Sequence, residues 1–128
     1  MAVGYTAYTA NKLLDAAFNA TSFSVTTPYL KLHTGTNPGP SGATGAATNA
    51  TRQTVSFGVA ASGAIENDVA VTWTSVSTTE NYQSFSLWDA STAGNCLWTG
   101  TLTGGSVTAG NDFTIAIGAL DLSMTVAS

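Results

Sequence analysis

Apolar and polar positions alternate with a period of two along most of this chain, and short clusters of Gly, Pro, Asn and Ser break the alternation. The clearest case is Phe85-Ser86-Leu87-Trp88 and Cys96-Leu97-Trp98-Thr99, which flank the turn-rich Asp89–Asn95 stretch. This pattern predicts a β-hairpin, with Gly94 and Asn95 tolerating positive φ in the turn. Tyr29-Leu30-Lys31-Leu32-His33 alternates in the same way, as do Val55, Phe57 and Val59, then Val69, Val71 and Trp73 after the polar Glu66-Asn67-Asp68 turn. Near the end, Phe113, Ile115 and Ile117 give way to Leu120, Leu122, Met124 and Val126 with a change of parity. A slip of one residue exchanges the two faces of a strand, so Gly118 is expected to mark a bulge or tight bend. One segment has helical spacing instead. Over residues 9–19, Leu13, Leu14, Ala17 and Phe18 share one face, with Thr6 or Thr9 as N-cap and Asn19 as the stop. That face is expected to pack on the sheet, because so short a helix is marginal alone.

These elements predict an all-β fold, an antiparallel β-sandwich of jelly-roll type with one short N-terminal α-helix. A single domain covers residues 1–128, with the sandwich over 29–126. Between them, residues 34–50 are dense in Gly, Pro, Thr and Asn and are expected to form a long exposed loop. Asn37, Pro38, Thr44 and Asn49 are its candidate contact residues. No heptad and no repeat is present, so the chain reads as a knob or plaque and not as a shaft.

Charge changes the picture more than size does. Only 8% of residues are charged, against roughly 25% in ordinary domains. Thr, Ser, Gly and Ala fill the surface, which leaves little electrostatic protection against association. The expectation is a surface partly covered by other subunits. Lys12, Lys31 and Arg52 are the only cations in a chain of net charge −4. Phosphate neutralisation depends on Lys and Arg, so nucleic-acid binding is excluded as an expectation. No apolar run approaches the roughly 20 residues of a membrane span. No secretory signal is visible at the start, and the single cysteine offers no disulfide framework. Assembly in a cytoplasm, without a membrane, is expected.

Candidate chemistry is thin. His33 stands without a second His or a Cys nearby, where zinc needs three or four ligands, so a hydrogen-bonded structural role is favoured. Cys96 lies within a strand and reads as a packing thiol. The acids sit mostly in turns. Asp89 and Asp112 look turn-forming, and Glu66 and Asp68 fall short of a calcium loop. Trp73, Trp88, Trp98 and Tyr82 are candidate core or subunit-interface anchors, with sugar stacking the less favoured alternative for the tryptophans. No phosphate loop and no nucleophile elbow occurs. The expectation is no catalytic residue, no cofactor and no metal.

An ordered set of motifs then resembles a family. Asn11-Lys12-Leu13-Leu14-Asp15, Leu32-His33-Thr34-Gly35 with Pro38-Gly39, Thr51-Arg52-Gln53-Thr54-Val55-Ser56-Phe57, Ser86-Leu87-Trp88-Asp89-Ala90 through Gly94 to Leu97-Trp98, and Val107-Thr108-Ala109-Gly110-Asn111 span nearly the whole chain. Together they are similar to small proteins of tailed bacteriophages that carry a tail-fibre label. The resemblance implies a non-enzymatic structural protein of the virion. Two readings follow from it and from the low-charge surface. One is a capsid decoration or cement protein that associates with itself, as a trimer, and with the major capsid protein. The other is a tail-fibre or receptor-binding module, among tail proteins, that recognises a host-surface glycan.

Overall fold

The computed structural model describes residues 2–128. In chain order its elements are β1 (Gly4–Tyr5), α1 (Ala7–Phe18), β2 (Tyr29–His33), β3 (Gln53–Thr54), β4 (Ala64–Glu66), β5 (Val71–Trp73), β6 (Glu80–Asn81), β7 (Ser84–Trp88), β8 (Cys96–Thr101), β9 (Ser106–Val107), β10 (Phe113–Ile115) and β11 (Asp121–Ser123). The main sheet has the order β1-β8-β7-β2-β3, and all its neighbouring pairs are antiparallel. Three two-stranded antiparallel ribbons, β5–β10, β4–β11 and β6–β9, complete the strands. The fold is therefore all-β with one short N-terminal helix, as the alternation predicts.

Register explains where the core lies. Leu30 stands opposite Leu87 and Leu32 opposite Phe85, so one face of the main sheet is apolar. Those four side chains join Val71, Trp73, Phe113, Ile115 and Leu122 from the ribbons, and Leu120 just before β11, in a single buried cluster. Leu30, Leu32 and Leu120 are fully buried, each contributing about 1.5–3 kcal/mol relative to exposure. On the opposite face Lys31 pairs with Ser86 and His33 with Ser84. That face is polar, yet His33, Ser84 and Ser86 are also fully buried. The reason is the 34–47 segment, which folds back over it.

Several expectations fail here, each for a local reason. Of the two expected N-caps Thr6 is the one used, accepting from the Thr9 N–H, so the helix begins at Ala7, and it stops at Asn19 as expected. The Thr6 hydroxyl also reaches the Cys96 carbonyl at 2.7 Å, which ties the first turn to β8. The last turn projects outward, and the expected packing face is only partly used: Leu13 is half-buried, but Leu14 is 57% and Phe18 85% exposed. The run from Thr54 to Val59 is a strand only at Gln53–Thr54, after which Phe57 makes a lone bridge to Asn67. Val59 is 96% exposed and Val69 lies outside β5. The 34–50 loop is not simply exposed, since Pro38, Gly42 and Ala47 are buried. Gly118 does form the bend, at φ +79°, and so Ile117 faces solvent while Leu120 returns to the core. In the β7–β8 turn the positive φ falls on Ala93 and Gly94, not Asn95.

Candidate functional site

The buried polar face is built around His33. Its Nδ1 lies 2.9 Å from the Thr44 carbonyl, which only accepts, so Nδ1 carries the hydrogen. Nε2 then accepts from the Ser86 hydroxyl at 2.8 Å, and Ser86 Oγ accepts the Trp88 indole N–H at 2.7 Å. Ser84 donates to the Gly35 carbonyl, and the Thr44 N–H to the Pro38 carbonyl. Further along, the Glu80 carboxylate accepts the backbone N–H groups of Thr48 and Asn49 at 2.7 and 3.2 Å. Asn49 also donates to the Tyr82 hydroxyl at 3.4 Å, and Asn37 Oδ1 accepts the Gly39 N–H at 2.8 Å. Of the four candidate contact residues, Thr44 alone is exposed. Asn37 and Asn49 are half-buried, and Pro38 is fully buried. A serine beside a histidine is the pattern of an activated nucleophile. Here both are completely covered, so no substrate reaches Oγ in this arrangement. Burial, reinforced by the nearby Lys31 charge and opposed by the Thr44 hydrogen bond, pushes the His33 pKa below the ordinary imidazole value.

Trp88 stands at the end of this chain of hydrogen bonds. The Arg52 guanidinium lies 4.0 Å from its ring centroid and the Lys31 ammonium 5.8 Å. Arg52 Nη1 also donates to the Ala90 and Ala93 carbonyls, each at 2.8 Å. Asp89 closes the same turn by accepting the backbone and side-chain N–H groups of Asn95 at 2.7 and 2.9 Å. Partial burial pushes the Asp89 carboxyl up, but the Asn95 hydrogen bonds and the Arg52 charge outweigh it and hold the pKa below the usual value. The Cys96 thiol is pushed up to about 11 by burial. Gly42 lies over it, and a Cβ there would come within 2.6 Å of the sulfur. Cys96 is a packing residue.

The remaining anchors divide between core and surface. Trp73 is 2% exposed, donates its indole N–H to the Thr51 carbonyl at 2.8 Å, and packs against Phe113. Tyr82 meets the same Phe113 edge-on at 4.9 Å. Trp98 is half-buried, with the Tyr5 ring perpendicular to it at 4.6 Å. These two aromatics line a shallow depression with Val3, Gly4, Ser123, Met124 and Thr125, none of which carries a charge. Trp73 and Tyr82 therefore serve the core, and Trp98 alone of the anchors opens onto an uncharged surface.

Sequence reasoning passed over Arg52, Glu80 and Asn67. Arg52 and Glu80 act on loops remote in sequence, so spacing carries no signal for them. Asn67 is fully buried, donates to the Val69 and Ala116 carbonyls and accepts the Leu120 N–H. Its place between two acids in a polar turn carries no signal of burial. Among the described residues no group of three His, Cys, Asp or Glu side chains is placed to hold a metal, and no helix is long and apolar enough to cross a membrane.

Against known proteins, the family model described as podophage GP4 fiber I protein gp80 matches residues 4–123 of the chain. No curated protein matches it.

Proposed function

Because this chain belongs to the podophage GP4 fiber I protein gp80 family and so is a fibre protein of the phage particle, we propose that it acts there without catalysis, as a self-associating subunit held by contacts with its neighbours. The observation that carries this reading is the state of the tryptophans. Trp73 is in the core, Trp88 has Arg52 against its ring, and Trp98 has Tyr5 set perpendicular against it. A sugar platform needs a free aromatic face; Trp98, which opens in part onto the uncharged depression, has the Tyr5 ring against it instead. The covered Ser86–His33 pair and the raised Cys96 pKa fit the same reading.

Our specific reading of its place is the capsid, where a compact subunit with a near-neutral surface would add buried area between major capsid subunits and stabilise the shell by mass action. A second reading, a tail-fibre module recognising a host glycan, is favoured by the fibre description of the family. It is also favoured by a polar groove lined by Tyr8, Lys12, Phe23 and Asp89. Particle imaging with a label on this chain separates the two. Density at regular positions on the head is expected. Density confined to the tail, with binding of the purified chain to host cells, would overturn the capsid reading.

A further inference from the structure

We propose that the β1 edge of the main sheet, with the uncharged depression beside it, is the surface on which a second copy of this chain docks. The inference rests on the reading of the chain as a self-associating particle subunit and names the face involved.

The two edges of the main sheet differ. At one end β3 is preceded by Arg52, and its chain runs on to the Phe57–Asn67 bridge, so that edge is guarded by a charge and continued by other backbone. At the other end β1 pairs with β8 on one side only. Soluble proteins guard such an edge with lysine, proline, a bulge or a short strand, because its open N–H and C=O groups invite another strand; β1 is short, at 2 residues. Residues 2–8, Ala-Val-Gly-Tyr-Thr-Ala-Tyr, contain neither lysine nor proline. Instead the edge displays apolar surface: Val3 is 41%, Tyr5 38% and Met124 50% exposed, beside the half-buried Trp98.

Charge selects the occupant. The segments that form this edge and line the depression, residues 2–6, 96–101 and 122–125, contain no Asp, Glu, Lys or Arg; the charged side chains of Lys12 and Asp15 lie further along α1, and Asp121 at the far end of β11. All seven acids and all three cations lie elsewhere in a chain of net charge −4. Copies approaching through an acid-bearing face oppose like charges, which disfavours that contact. Here they meet none. Within the depression itself a cationic partner would find no acidic side chain and an anionic one no basic side chain. An identical surface is matched in kind, apolar on apolar. The open backbone of β1 is then available to the edge of the neighbour.

Sedimentation velocity on the full chain tests this, with Val3→Glu, Met124→Glu and, as a control on a different apolar face, Phe18→Glu. The wild-type chain is expected to sediment as an oligomer. Each edge variant should weaken association at least about tenfold with an unchanged circular dichroism spectrum, while Phe18→Glu sediments like wild type. Three results would overturn the inference: wild-type protein that is monomeric at about 100 μM, edge variants that assemble like wild type, or a Phe18→Glu variant that dissociates as strongly as they do. Val3 and Met124 lie on separate segments, both outside the strands, so either variant remains informative if the other fails to fold. The underlying functional reading fails separately, by absence of the labelled chain from purified particles.

Discussion

At the scale of single residues, His33 shows how a side chain that suggests chemistry becomes a latch. Its two ring nitrogens join the loop carbonyl of Thr44 to Ser86 in the sheet, so the neutral ring holds the 34–47 segment down. Protonation would put a hydrogen on Nε2, which now accepts, and Ser86 would have to turn its hydroxyl elsewhere. The sign of the pH effect follows from linkage. The folded pKa lies below the ordinary value of about 6.5, so between the two the unfolded chain binds a proton that the native chain does not. This stabilisation is present in full above about pH 6.5. It falls as pH drops through the window and levels off once the folded ring is itself protonated. Asp89, with its lowered pKa, acts in a separate window at the carboxylate end of the scale. Thermal melts from neutral pH into the histidine window should therefore fall for the wild-type chain and stay flatter for His33→Gln. Parallel slopes for the two proteins would show that His33 is not the group responsible.

At the scale of elements, what was legible depended on whether an element has something to face. The β7–β8 hairpin and β2 were readable because their apolar positions meet one another across the main sheet, Leu87 against Leu30 and Phe85 against Leu32. Val59 continues the same alternation but has no strand beneath it, and it stands almost fully in solvent. The helix misleads for a related reason. Its spacing is amphipathic, yet its orientation is set at the other end by Thr6, which is bonded to Thr9 and to β8. The 34–50 loop was legible as a loop from its glycines and prolines. Its burial was not, since that depends on His33, Ser84 and Glu80, which lie outside the segment. The helix gives a direct check. Phe18→Ser should change stability by no more than about 0.5 kcal/mol, as at an open surface position. Phe85→Ala in the core should cost about 3–5 kcal/mol. Denaturant unfolding of the two variants measures both, and a large loss at Phe18 would mean that the last helical turn packs after all.

At the scale of the whole molecule, the scarcity of charge and its placement act together. The three cations each lie near an aromatic ring, Lys12 at Tyr8 and both Lys31 and Arg52 at Trp88, so the positive charges are engaged in local contacts. On the β4–β11 ribbon the acids Glu66 and Asp121 stand directly opposite one another, an arrangement that disfavours the pairing slightly. The β1 edge and the depression beside it, by contrast, carry no charged side chain. This division makes a prediction about assembly that depends on the molecule as a whole and not on one contact. If copies met through ion pairs, added salt would screen the attraction and loosen them. Through a neutral edge there is no such attraction to screen. What salt screens is the mutual repulsion of chains that each carry a net charge of −4. Association of the wild-type chain should therefore hold or tighten between about 50 and 500 mM sodium chloride, and sulfate, which strengthens apolar burial, should tighten it further. Sedimentation at the two salt concentrations distinguishes the cases: an oligomer that dissociates as salt rises would place charged groups in the interface and rule out the neutral edge as its principal contact.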